Sequence, residues 1–179
     1  MTAKRLVLIG LFVCLTILGA LISIPTPLSV VPITLQIPFT LSAGFVLGPK
    51  DGALSQLLYL LIGAVGLPVF SRQMGGFSVL IGPTAGFLWG FVISAALTGM
   101  INHYFRPQSD AAIFLCLTLG LLLIYGMGSA GLMIVLEYSF LQAVASGVAP
   151  FVFMDLIKLF AAASLINRLI KAQIIRAAS

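Results

Sequence analysis

The chain has 179 residues, of which 61% are hydrophobic and only 7% are charged. Soluble domains contain about 25% charged residues, so this composition excludes an ordinary soluble protein and predicts an all-α integral membrane protein. The formal net charge of +5 does not indicate a nucleic-acid-binding protein, because most basic residues lie between hydrophobic runs, where they set membrane topology.

The first half of the chain alternates apolar runs with proline-rich and glycine-rich breaks. Lys4 and Arg5 precede an uncharged run over residues 6–24, which is long enough to cross a bilayer as a helix. Three prolines within residues 25–32 predict a loop. We then predict, in order, a short apolar run over residues 36–47, a tight turn over 48–52, a helix over 53–67 and an irregular, glycine-containing stretch over 68–83.

The second half contains longer apolar runs separated by a polar break. That break, residues 106–110, offers Ser109 or Asp110 as the N-cap of the helix that follows it. The predicted elements around it are a helix over residues 83–103, a helix over 111–128, a short helix or lid near the membrane surface over 129–149 and a last helix over 150–170.

Six predicted spans place both termini on the same side of the membrane, and the basic residues support that count. With the N-terminus in the cytoplasm, Arg72 is outside and Lys158 lies within the membrane. The basic residues then on the cytoplasmic side are Lys4, Arg5, Lys50, Arg106, Arg168, Lys171 and Arg176. We therefore expect a single transmembrane domain over residues 1–179.

The strongest functional signal is the pair Asp155 and Lys158 in the last predicted helix. Residues three apart share one helix face, and each charge costs roughly 2.5–3.5 kcal/mol at the centre of a membrane helix. An acceptor beside a donor suits a small polar head group, and the neighbouring Phe151, Phe153 and Phe160 suit an apolar body. The alternative is that the two charges neutralise each other and only fix helix packing.

The sequence shows no catalytic constellation and no metal-ligand spacing. His103 is the single histidine, the four acidic residues are scattered, and no Walker A motif is present. A binding protein is therefore favoured over an enzyme. Two alternatives stay open, namely a membrane enzyme acting on a lipid or isoprenoid head group and a structural membrane subunit.

Several ordered motifs resemble those of the BioY family, the biotin-specific S components of energy-coupling-factor (ECF) vitamin transporters. The resemblance covers nearly the whole chain. Its motifs are Pro-Ile-Thr-Leu-Gln at 32–36, Leu-Gly-Pro-Lys-Asp-Gly at 47–52, Leu-Tyr-Leu at 58–60, Gly-Ala-Val-Gly-Leu-Pro-Val-Phe at 63–70, Gly-Gly at 75–76, Gly-Pro-Thr-Ala-Gly-Phe at 82–87, Gly-Val-Ala-Pro-Phe at 147–151 and Asp-Leu-Ile-Lys at 155–158.

The resemblance implies an S-component fold of six helices whose substrate cavity opens outward. It implies that Asp155 binds a ureido N–H of biotin, and that Lys158 binds the ureido oxygen or orients Asp155. Residues 70–77 would cap the site and residues 25–36 would form a wall. The further substrate-binding residues implied are Gln36, Tyr59, Phe70, Gly75, Gly76, Phe77 and Thr84. The chain departs from the family pattern at Met154, usually glycine, and at Phe87, usually tyrosine.

The resemblance also implies partners and a location. A transmembrane T component and a pair of cytoplasmic ATPases would assemble with the chain in the plasma membrane of a prokaryote, surrounded by membrane lipid. Gly10 and Cys14 have the spacing of a small-residue helix interface and stand where the family docks the T component, typically with alanines. No cofactor, metal or nucleic acid is expected, and biotin is the expected ligand.

Overall fold

The computed structural model describes residues 3–25 and 29–173, and within those ranges it is helical, without a β-strand. The seven α-helices are α1 (Ala3–Leu21), α2 (Gln36–Leu47), α3 (Pro49–Ala64), α4 (Ala85–Phe105), α5 (Asp110–Leu136), α6 (Phe140–Gly147) and α7 (Val152–Lys171). Two short 3-10 turns, Ser71–Gln73 and Phe77–Leu80, lie between α3 and α4.

Helix α4 is central, because it packs against α2, α3 and α5. Helix α1 covers α2 and α3 on one side, while α7 covers α5 and α2 on the other. The buried core between these helices is aliphatic and aromatic, with fully buried side chains such as Leu41, Phe45, Leu117 and Leu121.

Polar side chains also join the helices inside the bundle. Gln56 on α3 is fully buried and accepts a hydrogen bond from Thr40 on α2 at 3.0 Å. Its amide nitrogen lies 3.2 Å from the hydroxyl oxygens of Thr16 on α1 and Ser55 on α3. Hydrogen bonds of this kind hold helices together where lipid-like surroundings weaken the hydrophobic driving force between them.

The described part of the proline-rich stretch and the glycine-rich stretch are irregular, as predicted, while residues 26–28 of the proline-rich stretch lie outside the described ranges. An isolated bridge pairs Ile24 with Ile33 at the ends of the first stretch, with N···O distances of 2.9 and 3.0 Å. The second stretch is folded by the two 3-10 turns and by a bridge between Phe70 and Met74. The predicted N-cap is also confirmed, since Ser109 accepts a hydrogen bond from the Ala112 amide.

The turn predicted over residues 48–52 is wrong for four of its five residues. Gly48 alone makes the corner between α2 and α3, with a φ of +86° that favours glycine. Pro49 then begins α3, because proline already has a helical φ and needs no partner for an N–H in the first helical turn. The helix therefore starts earlier than predicted and ends at Ala64 rather than at residue 67.

The predicted end of the fifth helix at residue 128 is also wrong, since α5 continues to Leu136 and has 27 residues. Glycines near the predicted end permit close packing of α5 on α4. A Cβ atom on Gly131 would lie 2.9 Å from the Cα atom of Gly86. The segment after α5 contains the short helix α6, which a Ser139–Gln142 capping box begins.

Three described helices, α1, α4 and α5, have the length and hydropathy to cross a membrane. Helices α6 and α7 make a fourth span if they count as one element bent by 51°. Helices α2 and α3 have 12 and 16 residues, which rise about 18 and 24 Å against a hydrocarbon core of about 30 Å. The predicted count of six spans is therefore not confirmed and stays a prediction.

Close helix packing at Gly44 gives a stability prediction. A Cβ atom there would meet the Ala95 carbonyl group and the Thr98 hydroxyl group on α4, whereas a Cβ atom at Gly10 on α1 meets nothing within 4 Å. We expect Gly44→Ala to destabilise the protein by about 1–3 kcal/mol, the usual cost of overpacking. Thermal unfolding in detergent measures the effect.

Gly10→Ala is the matched control and should leave the unfolding midpoint unchanged or slightly raised, since alanine favours helix. Equal midpoints for Gly44→Ala and the wild type would contradict the packing described for α2 and α4.

Candidate functional site

A cavity lies at the end of the bundle where α2, α4 and α7 begin. The polar residues in its wall are Thr34, Gln36, Ser71, Thr84, Tyr125 and Asp155. Its apolar wall includes Ile37, Val79, Phe87, Leu88, Phe91 and Phe151.

Asp155 and Lys158 form an ion pair beside this cavity. The Lys158 Nζ atom lies 2.6 Å from Asp155 Oδ1, and the Asp155 residue is only 2% exposed. Asp155 lies in the first turn of α7, where the helix dipole favours a negative charge. The predicted pairing of the two residues on one helix face is therefore present in the structure.

Lys158 also ties α7 to the loop before α2. Its Nζ atom donates a hydrogen bond to the Thr34 carbonyl oxygen at 2.8 Å. Asp155 and Thr34 line the cavity, whereas Lys158 does not. In this arrangement the ammonium group contacts both the carboxylate and the loop, and its role toward a ligand stays a prediction.

Tyr125 on α5 completes the surroundings of the carboxylate. Its hydroxyl donates a hydrogen bond to Asp155 Oδ2 at 2.6 Å. Each carboxylate oxygen of Asp155 thus accepts one strong hydrogen bond, from Tyr125 or from Lys158. These two hydrogen bonds offset the free-energy cost of burying the charged carboxylate.

A second polar group pairs Gln36 in the cavity wall with Tyr59. The Gln36 side-chain amide donates to the Tyr59 hydroxyl oxygen at 2.7 Å, and that hydroxyl donates to the Val69 carbonyl oxygen at 3.2 Å. Tyr59 is fully buried and packs edge-on against Phe70 at 5.4 Å between ring centroids. Gln36 and Phe70 line the cavity, while Tyr59 contacts both of them and lies outside the cavity wall.

The glycine-rich loop enters the cavity wall at fewer positions than predicted. Phe70 and Thr84 line the cavity, but Gly75, Gly76 and Phe77 do not. The Gly76 amide donates instead to the carbonyl oxygen of Gly63 at the end of α3, at 2.7 Å, and Phe77 is 64% exposed. In this structure these three residues shape the loop rather than contact the cavity.

The phenylalanines near the ion pair also divide between the cavity and the surface. Phe151 lines the cavity, whereas Phe153 and Phe160 are exposed and lie outside its wall. The phenylalanines divide in this way because only one face of α7 points toward the cavity. Of the two departures from the family pattern, Phe87 is in the wall and Met154 is not.

Gly10 and Cys14 lie on the exposed face of α1, far along the sequence from the cavity residues. The absence of atoms within 4 Å of a Cβ atom at Gly10 leaves room for a close approach by another helix. Docking of a partner at these two residues stays a prediction.

Sequence reasoning missed Tyr125 and the Thr34 backbone carbonyl. Tyr125 could have been noticed in the sequence, because it carries a hydroxyl group within an otherwise apolar stretch of α5. A buried tyrosine hydroxyl normally has a hydrogen-bond partner, so that tyrosine required one. Nothing in the sequence distinguished the carbonyl group of Thr34 from those of its neighbours.

Comparison with known proteins gives consistent matches along the chain. A family model described as the BioY family matches residues 1–174. The "Biotin transporter BioY" of Thermotoga maritima is 40% identical over 97% of this chain and 99% of that protein. The "Probable biotin transporter BioY" of Pyrococcus horikoshii is 38% identical over 94% and 98% of the two chains.

A solved structure has the same fold. The crystal structure of the S component for biotin from an ECF-type ABC transporter superposes with a TM-score of 0.86 and 27% sequence identity. The match covers 96% of this chain and 95% of the other. The motifs, the helical fold and the two relatives agree, and the chain belongs to the BioY family.

Proposed function

We propose that this chain is the biotin-binding S component of an ECF transporter and captures biotin for uptake driven by ATP hydrolysis in partner subunits. The observation that carries the proposal is the buried Asp155–Lys158 ion pair at the wall of a largely apolar cavity. The names printed for the relatives, and the S component with the same fold, support biotin as the ligand.

Biotin has the chemistry that this cavity can bind. Its ureido ring carries two N–H donors and one carbonyl acceptor, and its bicyclic body and valerate chain are mostly apolar. Asp155 is the acceptor for a ureido N–H, with Lys158 orienting the carboxylate. The phenylalanine-rich wall accommodates the apolar body, and Gln36 and Thr84 supply further polar contacts.

The proposed binding has a second step, closure of the loop that contains Gly75, Gly76 and Phe77. They lie outside the cavity wall, so their contribution is to the loop that caps the ligand after it enters. Loops over ligand sites commonly close in this way and exclude water from the bound molecule.

The proposed partners follow from the S-component assignment. A transmembrane T component docks on the exposed face of α1 around Gly10 and Cys14, where small side chains permit close helix approach. A pair of cytoplasmic ATPases supplies the nucleotide chemistry for uptake. The alternative of an enzyme acting on a lipid head group is not carried further, because the relatives are named as transporters.

We also propose a six-span topology for the single domain over residues 1–179, with both termini in the cytoplasm of a prokaryote. Helices α2 and α3 each cross most of the bilayer and are completed by the loops that adjoin them. Irregular backbone at membrane depth is tolerated where protein buries it or where it lines a cavity. The loops before α2 and before α4 both contribute to the cavity wall.

The function predicts selective binding of biotin by the purified protein. In a thermal-shift screen of water-soluble vitamins, we expect biotin alone to raise the unfolding temperature. Asp155→Asn should weaken equilibrium biotin binding by roughly 10–100-fold, because a hydrogen bond to a charged group contributes about 1.5–3 kcal/mol.

Asp51→Asn is the matched control, since Asp51 also pairs with a basic residue, Arg5, but at the opposite end of the helices. It should bind biotin like the wild type. Wild-type protein without biotin affinity would contradict the function, and wild-type affinity in Asp155→Asn would contradict the site.

The six-span topology predicts which loops face outward. In a Cys14→Ala, Cys116→Ala background, single cysteines at the exposed positions Gln73 and Gln108 should label differently with a membrane-impermeant maleimide. We expect Gln73→Cys to label in intact cells and Gln108→Cys to label only after permeabilisation. Equal labelling of both in intact cells, or the reverse pattern, would contradict the topology.

A further inference from the structure

Tyr125 contributes a hydroxyl group to the polar corner of the cavity. The residue is only 5% exposed, yet it belongs to the cavity wall together with Asp155. Its hydroxyl oxygen lies 2.6 Å from Asp155 Oδ2, in the range of a strong hydrogen bond to a charged acceptor. The bond joins α5 to α7 at the point where the cavity meets the ion pair.

The direction of this hydrogen bond fixes what the corner can offer a ligand. A phenol has one hydrogen, and Tyr125 donates it to the carboxylate. The phenol oxygen and the remaining lone pairs of the carboxylate can then only accept hydrogen bonds. The nearby ammonium group of Lys158 donates to Asp155 and to the Thr34 carbonyl oxygen, and Lys158 lies outside the cavity wall.

We propose that Tyr125 is a positioning and specificity-determining residue, which fixes the Asp155 carboxylate and makes this corner of the cavity select ligand N–H donors. A ring N–H finds an acceptor there, whereas a carbonyl or carboxylate group of a ligand meets only other acceptors. The inference rests on the proposed function, because it concerns how the ureido ring of biotin is recognised.

Without the Tyr125 hydroxyl, the Asp155 carboxylate keeps its partner on Oδ1 and loses its partner on Oδ2. The carboxylate could then rotate about its side-chain bonds, and its second oxygen would accept a hydrogen bond from water, which a ligand N–H would have to displace. Both changes reduce the preference for a ligand that brings N–H groups, because the acceptor is no longer held in place.

Tyr59 offers a matched comparison within the same protein. It is also a buried tyrosine whose hydroxyl is hydrogen-bonded, but its partners are Gln36 and the Val69 carbonyl oxygen, and it lies behind the cavity wall. Removing its hydroxyl changes packing and hydrogen bonding of a similar kind without touching the Asp155 carboxylate.

The test measures affinity for biotin and for biotin methylated at each ureido nitrogen, in purified wild type, Tyr125→Phe and Tyr59→Phe. The wild type should prefer biotin over at least one methylated form. Tyr125→Phe should lose roughly 10–100-fold in biotin affinity and much less for that methylated form, so the ratio of affinities shrinks. Tyr59→Phe should keep the wild-type ratio.

Replacing Tyr125 by 3-fluorotyrosine retains the hydroxyl donor and should keep the ratio, which provides the test if Tyr125→Phe does not fold. An unchanged ratio in Tyr125→Phe, or a collapsed ratio in the fluorotyrosine protein, would overturn the inference. Wild-type protein that binds no biotin would instead overturn the proposed function, so the two failures are distinguishable.

Discussion

The ion pair between Asp155 and Lys158 is the interaction on which the cavity depends. Two opposite charges within an apolar bundle are costly unless each is satisfied, and here Tyr125 and the Thr34 carbonyl group complete the set. These contacts join α5, α7 and the loop before α2. Losing one charge would leave the other buried without its partner, at a cost of about 3–5 kcal/mol, so the pair is a strong constraint on structure as well as a candidate ligand site.

Small residues let the helices bring these groups together. Gly44 places α2 directly against the backbone of α4, and Gly86 and Gly131 do the same for α4 and α5. The cavity lies at one end of these closely packed helices, where helix residues and loop residues share its wall. The hydroxyl, amide and carboxylate groups of its wall then lie among phenylalanines, an arrangement typical of sites that bind an apolar molecule with a polar head.

The sequence predicted the elements whose signals are local. A charged pair in an apolar run, prolines that exclude helix and a serine before a helix each depend on a few neighbouring residues, and the described part of the chain contains all three.

The errors in helix boundaries came from residue types that are compatible with more than one local structure. The fifth helix was predicted to end at residue 128, near glycines that in fact allow α5 to pack on α4, and Pro49 was assigned to a turn but begins α3. Tyr125 required knowledge of its partner, which is 30 residues away in sequence and adjacent only after α5 and α7 pack.

A structure of the purified protein with bound biotin would show whether Asp155 binds the ureido ring. We expect the ureido ring within hydrogen-bonding distance of the Asp155 carboxylate, with Lys158 still paired to that carboxylate and the apolar body against the phenylalanine wall. A ligand bound elsewhere, or an Asp155 side chain turned away from the bound ring, would contradict it.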